Sequence, residues 1–272
     1  MKRRDFLTTA CVTGLAAASL RSATAAEPSA NPHLLDFRMI TAANPRRLET
    51  MIKYNGELSV QAMNKYGVSP VGLFIADSAL NAKEAAYDQK YDNVLFCLTQ
   101  YPTFESGLEL ADKLRSDTQH MEALAVAFEG TTSQNPMSTA HERMLLRCFP
   151  EFPEIKVPSS NPNRILQLRM YRSHSFDRNR AKVRQIASEE GALSLFEECG
   201  IKTVFLSTTL YGAFMPSIVF MLCFESEEQK NDAWAKFVNH PGWRKLAADP
   251  AYADTATEII NIFLKPCPGS QI

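Results

Sequence analysis

The chain repeats itself, and no other feature limits its fold so tightly. Leu35-Asp36-Phe37-Arg38-Met39 and Leu166-Gln167-Leu168-Arg169-Met170 share an apolar alternation with arginine at the same step, and each run leads into a turn and a long helical pattern. The first helical pattern, residues 45–66, opens behind Asn44 with proline at its first position; the second, residues 178–199, opens behind Asp177. Gly67 and Gly200 stop them at matching places. Strand-like runs follow at 68–76 and 201–207, then at 94–99 and 218–224. A second helical pattern follows in each half, at 103–114 and 227–238, the latter behind Ser226 with Gln229 three residues on. Closing strands are expected at 143–149 and 258–264.

Both halves therefore read βαββαβ, the ferredoxin-like order, over residues 33–149 and 164–266. Between them, residues 150–163 carry Pro150, Pro153, Pro158 and Pro162, the composition of a linker. A single unit of this kind leaves one face of a four-stranded sheet open, and two copies can bury those faces against each other. The expected fold class is α+β, with two tandem ferredoxin-like units forming an intrachain pseudo-dimeric α+β barrel. Two unrelated α+β domains are the alternative.

The N-terminus reads as an export signal rather than structure. Residues 1–26 run from a basic cluster through a weak apolar stretch to Ala23-Thr24-Ala25-Ala26, and Arg3-Arg4-Asp5-Phe6-Leu7 resembles the twin-arginine signal of bacteria. The stretch is too short and too polar for a stable membrane span. The expected location is extracytoplasmic, in the periplasm, with the twin-arginine translocase as a transient partner. A chain of 272 residues with 29 basic against 30 acidic side chains has no basic excess to neutralise phosphates, so no nucleic-acid partner is expected. Beyond the signal the cysteines number five, with no CxxC or histidine pair nearby, so neither a disulfide framework nor a metal site is signalled.

The second half carries Leu168-Arg169-Met170-Tyr171, Cys199-Gly200, Tyr211-Gly212, Phe224-Glu225-Ser226, Trp234 and Asn239-His240-Pro241-Gly242-Trp243. In this order and spacing, over about residues 164 to 266, it resembles the NIPSNAP family of the dimeric α+β barrel superfamily. The first half looks like a divergent copy that keeps Arg38 and Gly67. The resemblance implies the barrel and association through sheet faces, and brings no agreed activity. Neighbouring branches of the superfamily include haem-degrading and cofactor-free monooxygenases, a kinship of fold.

Alternation sets Leu35, Phe37 and Met39 against Asp36 and Arg38, and Leu166, Leu168 and Met170 against Gln167, Arg169 and Tyr171. With the apolar face packed on helices, the polar face is expected inside the barrel, lined by Arg38, Arg147, Arg169, Tyr171, Tyr211 and Asn261 as a site for a small hydrophobic or anionic ligand. The opposing reading makes the arginines plain ion pairs of Asp36 and Glu142. His174, three residues past Tyr171, is the candidate base or haem ligand for an oxidative enzyme, haem-dependent or cofactor-free; a solvated loop histidine is the plainer reading. No motif indicates a cofactor. A third reading is a structural protein that oligomerises through residual sheet edges, which a packed interior would favour.

Overall fold

The computed structural model describes residues 31–272, so the expected signal segment lies outside the described residues. The chain runs β1 (Leu34–Ala42), α1 (Pro45–Tyr54), α2 (Val60–Lys65), β2 (Gly72–Ala76), α3 (Ser78–Asn81), β3 (Val94–Tyr101), α4 (Phe104–Ser116), α5 (Thr118–Ala127) and β4 (Ser138–Cys148). It continues β5 (Ile165–Arg172), α6 (Phe176–Ala187), α7 (Ala192–Glu198), β6 (Lys202–Tyr211), β7 (Ser217–Phe224), α8 (Glu227–Asn239), α9 (Pro241–Ala248) and β8 (Glu258–Pro266). All eight strands close into one antiparallel barrel in the order β1-β3-β2-β8-β5-β7-β6-β4. The first four strands are neighbours in the order β4-β1-β3-β2 and the last four in the order β8-β5-β7-β6, the same path traced twice.

Local chemistry explains the element ends. Asn44 caps α1 by accepting from the Arg47 amide, with Pro45 pre-set for helix; Thr103 and Ser106 form a reciprocal capping box at α4. Gly67 and Gly200 hold φ of +82° and +79°, a conformation that costs glycine little and a β-carbon much. Two expected single helices are interrupted. A π-turn, Asn55–Ser59, joins α1 to α2, and residues 188–191 separate α6 from α7 because Ser188 leaves the helix as an extended cap. The second helical pattern also starts earlier than expected, with Ser175 rather than Asp177 as cap. Helices α5 and α9 were not anticipated; Asp117 and His240 cap them through the amides of His120 and Gly242.

One large core draws on every strand of the barrel: Leu35, Phe37 and Met39 meet Phe74, Phe96, Met144, Leu166, Leu168, Met170, Val204, Met221 and Leu264. A face shared by all eight strands and by none of the helices is the lumen. Two further cores lie outside it, one under α1, α2 and α4, the other under α6, α7 and α8. The strand β7 is buried along its whole length, as a strand covered on both faces must be.

The expected orientation of the strands is thereby reversed. The apolar faces of β1 and β5 fill the lumen, and Arg38, Arg169, Tyr171 and Asn261 lie on the outer face beneath the helices, while Arg147 and Tyr211 are exposed. Several guanidinium groups in a closed lumen would lack counter-ions, and desolvating each costs several kcal/mol. Under the helices Arg38 finds the Asp36 carboxylate and Arg169 the Tyr171 and Trp234 rings. The packed lumen is the outcome set beside a purely structural role, yet closure leaves no free sheet edge for that kind of assembly among the described residues. Residues 77–92 are pinned to the barrel: Asn81 exchanges two 2.8 Å hydrogen bonds with the backbone of Phe263, and Tyr91 enters the lumen core.

Candidate functional site

Where the two halves are built alike, their outer faces differ. Setting β1 on β5 and β3 on β7 by register places Cys97 where the second half has Phe220, each directly opposite its arginine. Setting α4 on α8 by their caps, Thr103 and Ser226, places Ala111 opposite Trp234 and Gly107 opposite Lys230. In the second half the large residues fill the space between sheet and helices: Phe196, Phe220, Trp234, Phe237 and Trp243 pack ring on ring, with centroids 4.6–6.4 Å apart in successive contacts. In the first half Gly107 and Ala111 line a chamber of about 320 Å³ between β1, α1, α4 and α5.

Its walls are mixed. Ile40, Met51, Met63, Leu110, Leu114 and Met137 supply apolar surface, and Asp36, Arg38, Tyr54, Tyr101, His120 and Arg143 supply polar groups. Asp36, 3% exposed, accepts two 2.7 Å hydrogen bonds from Arg143 Nε and Nη2 and lies 3.3 Å from Arg38 Nε. The hydrogen bonds it donates to Asp36 hold the Arg143 guanidinium more firmly charged than usual. Two arginines against one carboxylate leave one positive charge over. Arg38 Nε and His120 Nδ1 are buried and make no hydrogen bond. His120 Nε2 stands 3.4 Å from the Tyr54 hydroxyl, and burial pushes the Tyr54 phenol up to about 12, so it stays neutral.

A second chamber of about 570 Å³ shares Asp36, Tyr101, Gly107, Ala111 and Arg143 with the first. Exposed Phe104, Leu108 and Tyr211 form its apolar rim, Tyr211 being 72% exposed.

The expected site residues thus divide into three groups. Arg38 lines the first chamber and Tyr211 the rim of the second. Arg169, Tyr171 and Asn261 come together in the second half: the Arg169 guanidinium lies 5.3 Å from the Tyr171 ring and 5.0 Å from the Trp234 ring, and Asn261 is its register partner on β8. Gln167, in the place of Asp36, is tied to Asn261 and to the Trp234 indole at 2.8 Å each. Arg147 is exposed and joins neither group. His174 is 45% exposed and lies 3.7 Å from Asp254; it lines neither chamber, so nothing around it fits a haem. Of the two acids set against the arginines, Asp36 pairs with both Arg38 and Arg143, whereas Glu142 forms no ion pair among the described residues.

Arg143, His120 and Tyr54 were missed. Asp36 was the available signal, since a carboxylate on the face of Arg38 asks for a partner on the neighbouring strand. Nothing in the local sequence ties α5 to α1. Five cysteines are unpaired and buried, and burial raises the thiol pKa values, to about 11 at Cys97 and Cys223. Among the described residues no three metal-ligating side chains converge, and no helix is long and apolar enough to cross a membrane.

Residues 166–271 match the NIPSNAP family. No curated protein matches the chain. Among solved structures, a candidate monooxygenase from Lactobacillus acidophilus is similar over 88% of this chain and 98% of its own, at 12% identity and a TM-score of 0.55. Another candidate monooxygenase, from Fusobacterium nucleatum, is similar over 87% and 93%, at 8% identity and a TM-score of 0.55. An anthrone oxidase-like protein is similar over 90% and 97%, at 10% identity and a TM-score of 0.50. At such identities the likeness is one of fold, a mixed α+β protein built on an antiparallel barrel.

Proposed function

We propose that the protein binds an amphipathic monoanion, an apolar body carrying one carboxylate or phenolate, in the chamber between sheet and helices of its first half. The observation that carries this reading is the chamber's polar wall: Arg38 and Arg143 share the single carboxylate of Asp36, leaving one positive charge over, and Arg38 Nε is buried and makes no hydrogen bond, in a cavity whose remaining wall is largely apolar. Guanidinium groups suit such an anion because the ligand supplies the missing counter-charge and acceptor together. The ligand site is thus on the outer face, not in the lumen.

In this reading the chain is an intrachain pseudo-dimer of two ferredoxin-like units, 33–149 and 164–266, of which the first keeps the binding chamber and the second has filled its own. Its NIPSNAP-like half then serves as the scaffold that completes the barrel. Export belongs to the same proposal: residues 1–26 direct the chain through the twin-arginine translocase to the periplasm, supported by Arg3-Arg4 before Phe6-Leu7. Replacing both arginines by lysine retains the precursor in the cytoplasm if this is right.

Binding is tested with 1-naphthoate, an aromatic monoanion, by isothermal titration of the mature protein. One site per chain is expected, lost on Arg38→Met with the fold retained; unchanged affinity in that variant refutes the site. A second reading, an oxidative enzyme, draws on the likeness to candidate monooxygenases. An absorption spectrum of protein purified from its exporting cells separates them, since a bound chromophore supports oxidative chemistry.

A further inference from the structure

We infer that the first-half chamber is a proton-transfer site in which His120 acts as base on monoanions carrying an acidic C–H beside a carbonyl; this rests on the binding reading above. Two histidines line the chamber. His141 is exposed, with Nε2 engaged at 2.6 Å by Ser138 Oγ. His120 is different: its Nε2 faces the Tyr54 hydroxyl at 3.4 Å, and its Nδ1 is buried with no partner. With Nε2–H donating to the Tyr54 oxygen, Nδ1 carries the lone pair, and a buried lone pair beside a cavity is what a base requires. The α5 backbone holds the ring, because the His120 amide donates to Asp117 Oδ1, and Asp117 Oδ2 is itself fixed by Lys65 at 2.7 Å and Tyr66 at 2.8 Å.

The opposite requirement, a donor for the oxygen that becomes negative, is met by the Arg38 guanidinium on the same chamber, whose Nε–H makes no hydrogen bond and which shares Asp36, 3.3 Å away, with Arg143. The step balances without an oxidant. The C–H bond breaks and its proton goes to His120 Nδ1; the electron pair forms the C=C bond of an enolate, whose oxygen charge Arg38 stabilises. The imidazolium then returns a proton to the oxygen or to carbon, giving tautomerisation or isotope exchange. Tyr54, a neutral phenol, meets Nε2 at 3.4 Å and holds the ring in place; it is a positioning residue.

Phenylpyruvate is a suitable probe, with an aryl body, one carboxylate and an acidic methylene beside a ketone. In D2O, proton NMR of that methylene should show exchange about a hundredfold faster with the protein than in buffer, the lower end of what a positioned base provides. His120→Gln should return exchange to the buffer rate while its titrated affinity for phenylpyruvate stays within about threefold, the signature of a group that acts in the transition state rather than in binding. Tyr54→Phe keeps the ring and should lower exchange without lowering affinity. Binding of phenylpyruvate with no accelerated exchange overturns the inference and leaves the binding reading intact. Accelerated exchange that survives His120→Gln overturns the role of His120. Failure to bind both 1-naphthoate and phenylpyruvate overturns the two together.

Discussion

Replacing Asp36 by asparagine should weaken the fold and tighten the ligand. The carboxylate is 3% exposed and answers two guanidinium groups, Arg143 through two 2.7 Å hydrogen bonds and Arg38 at 3.3 Å. Asparagine keeps one acceptor oxygen, loses the charge, and turns its amide hydrogens toward donors. Breaking a fully buried pair costs about 3–5 kcal/mol. Here the Arg38 and Arg143 side chains are 34% and 69% exposed, so water takes over part of their solvation. A loss of about 2 kcal/mol follows, the value of one or two hydrogen bonds to a charged group. The same change removes the internal competitor for both arginines and raises the local charge by one. At an effective dielectric constant near 20, an added unit of attraction a few ångströms away, partly screened, gives on the order of tenfold tighter binding of a monoanion. Urea unfolding and titration with 1-naphthoate measure the two effects on one sample. A fall in affinity alongside the fall in stability would refute the reasoning, because Asp36 would then be holding the arginines in place for the ligand rather than competing with it.

Trp234→Ala removes the indole that packs on Phe196 and Phe237 and donates to Gln167; a destabilisation of about 3 kcal/mol is expected in urea unfolding, the lower end for such a truncation in a core, since Trp234 is only partly buried. Lys182 is pushed down to about 8, first by burial and then by the charge of Arg169. Between about pH 8 and the usual lysine range the unfolded chain therefore binds more protons than the folded one, so this group makes stability rise with pH across that window. Lys182→Met should flatten that rise and change stability at neutral pH by less than about 1 kcal/mol, because the half-buried ammonium it removes also donates to Gln185 at 2.7 Å. Arg147→Met and His174→Ala, both outside the chambers, should leave 1-naphthoate affinity within about twofold, surface changes of this kind being close to neutral.

The α+β class and the barrel were legible because alternation, caps and the stops at Gly67 and Gly200 mark strands and helices along the whole chain, and each signal is local. The facing of the strands was not. Alternation separates Leu35, Phe37 and Met39 from Asp36 and Arg38, but both faces of this barrel are covered, one by opposing strands and one by helices, so the pattern alone does not say which face meets which cover. The choice is made by the number of strands that converge in the lumen, which only closure reveals. Arg38, Arg169, Tyr171 and Asn261 share a sheet face, as alternation indicates, but that face is the outer one and not the lumen. His120 and Tyr54 lay beyond reach because their meeting depends on how α5 packs over α1, and α5 itself carries a weak amphipathic pattern. What separates an open chamber from a filled one, Gly107 and Ala111 against Lys230 and Trp234, becomes readable only once the helices are set against each other by their caps.

That contrast is the centre of the account, and titration calorimetry with 1-naphthoate on the mature protein and on Ala111→Trp tests it directly. One site per chain is expected in the parent protein and none in the variant, whose thermal unfolding remains cooperative. Equal stoichiometry in the two proteins, or two sites per chain in the parent, would contradict it.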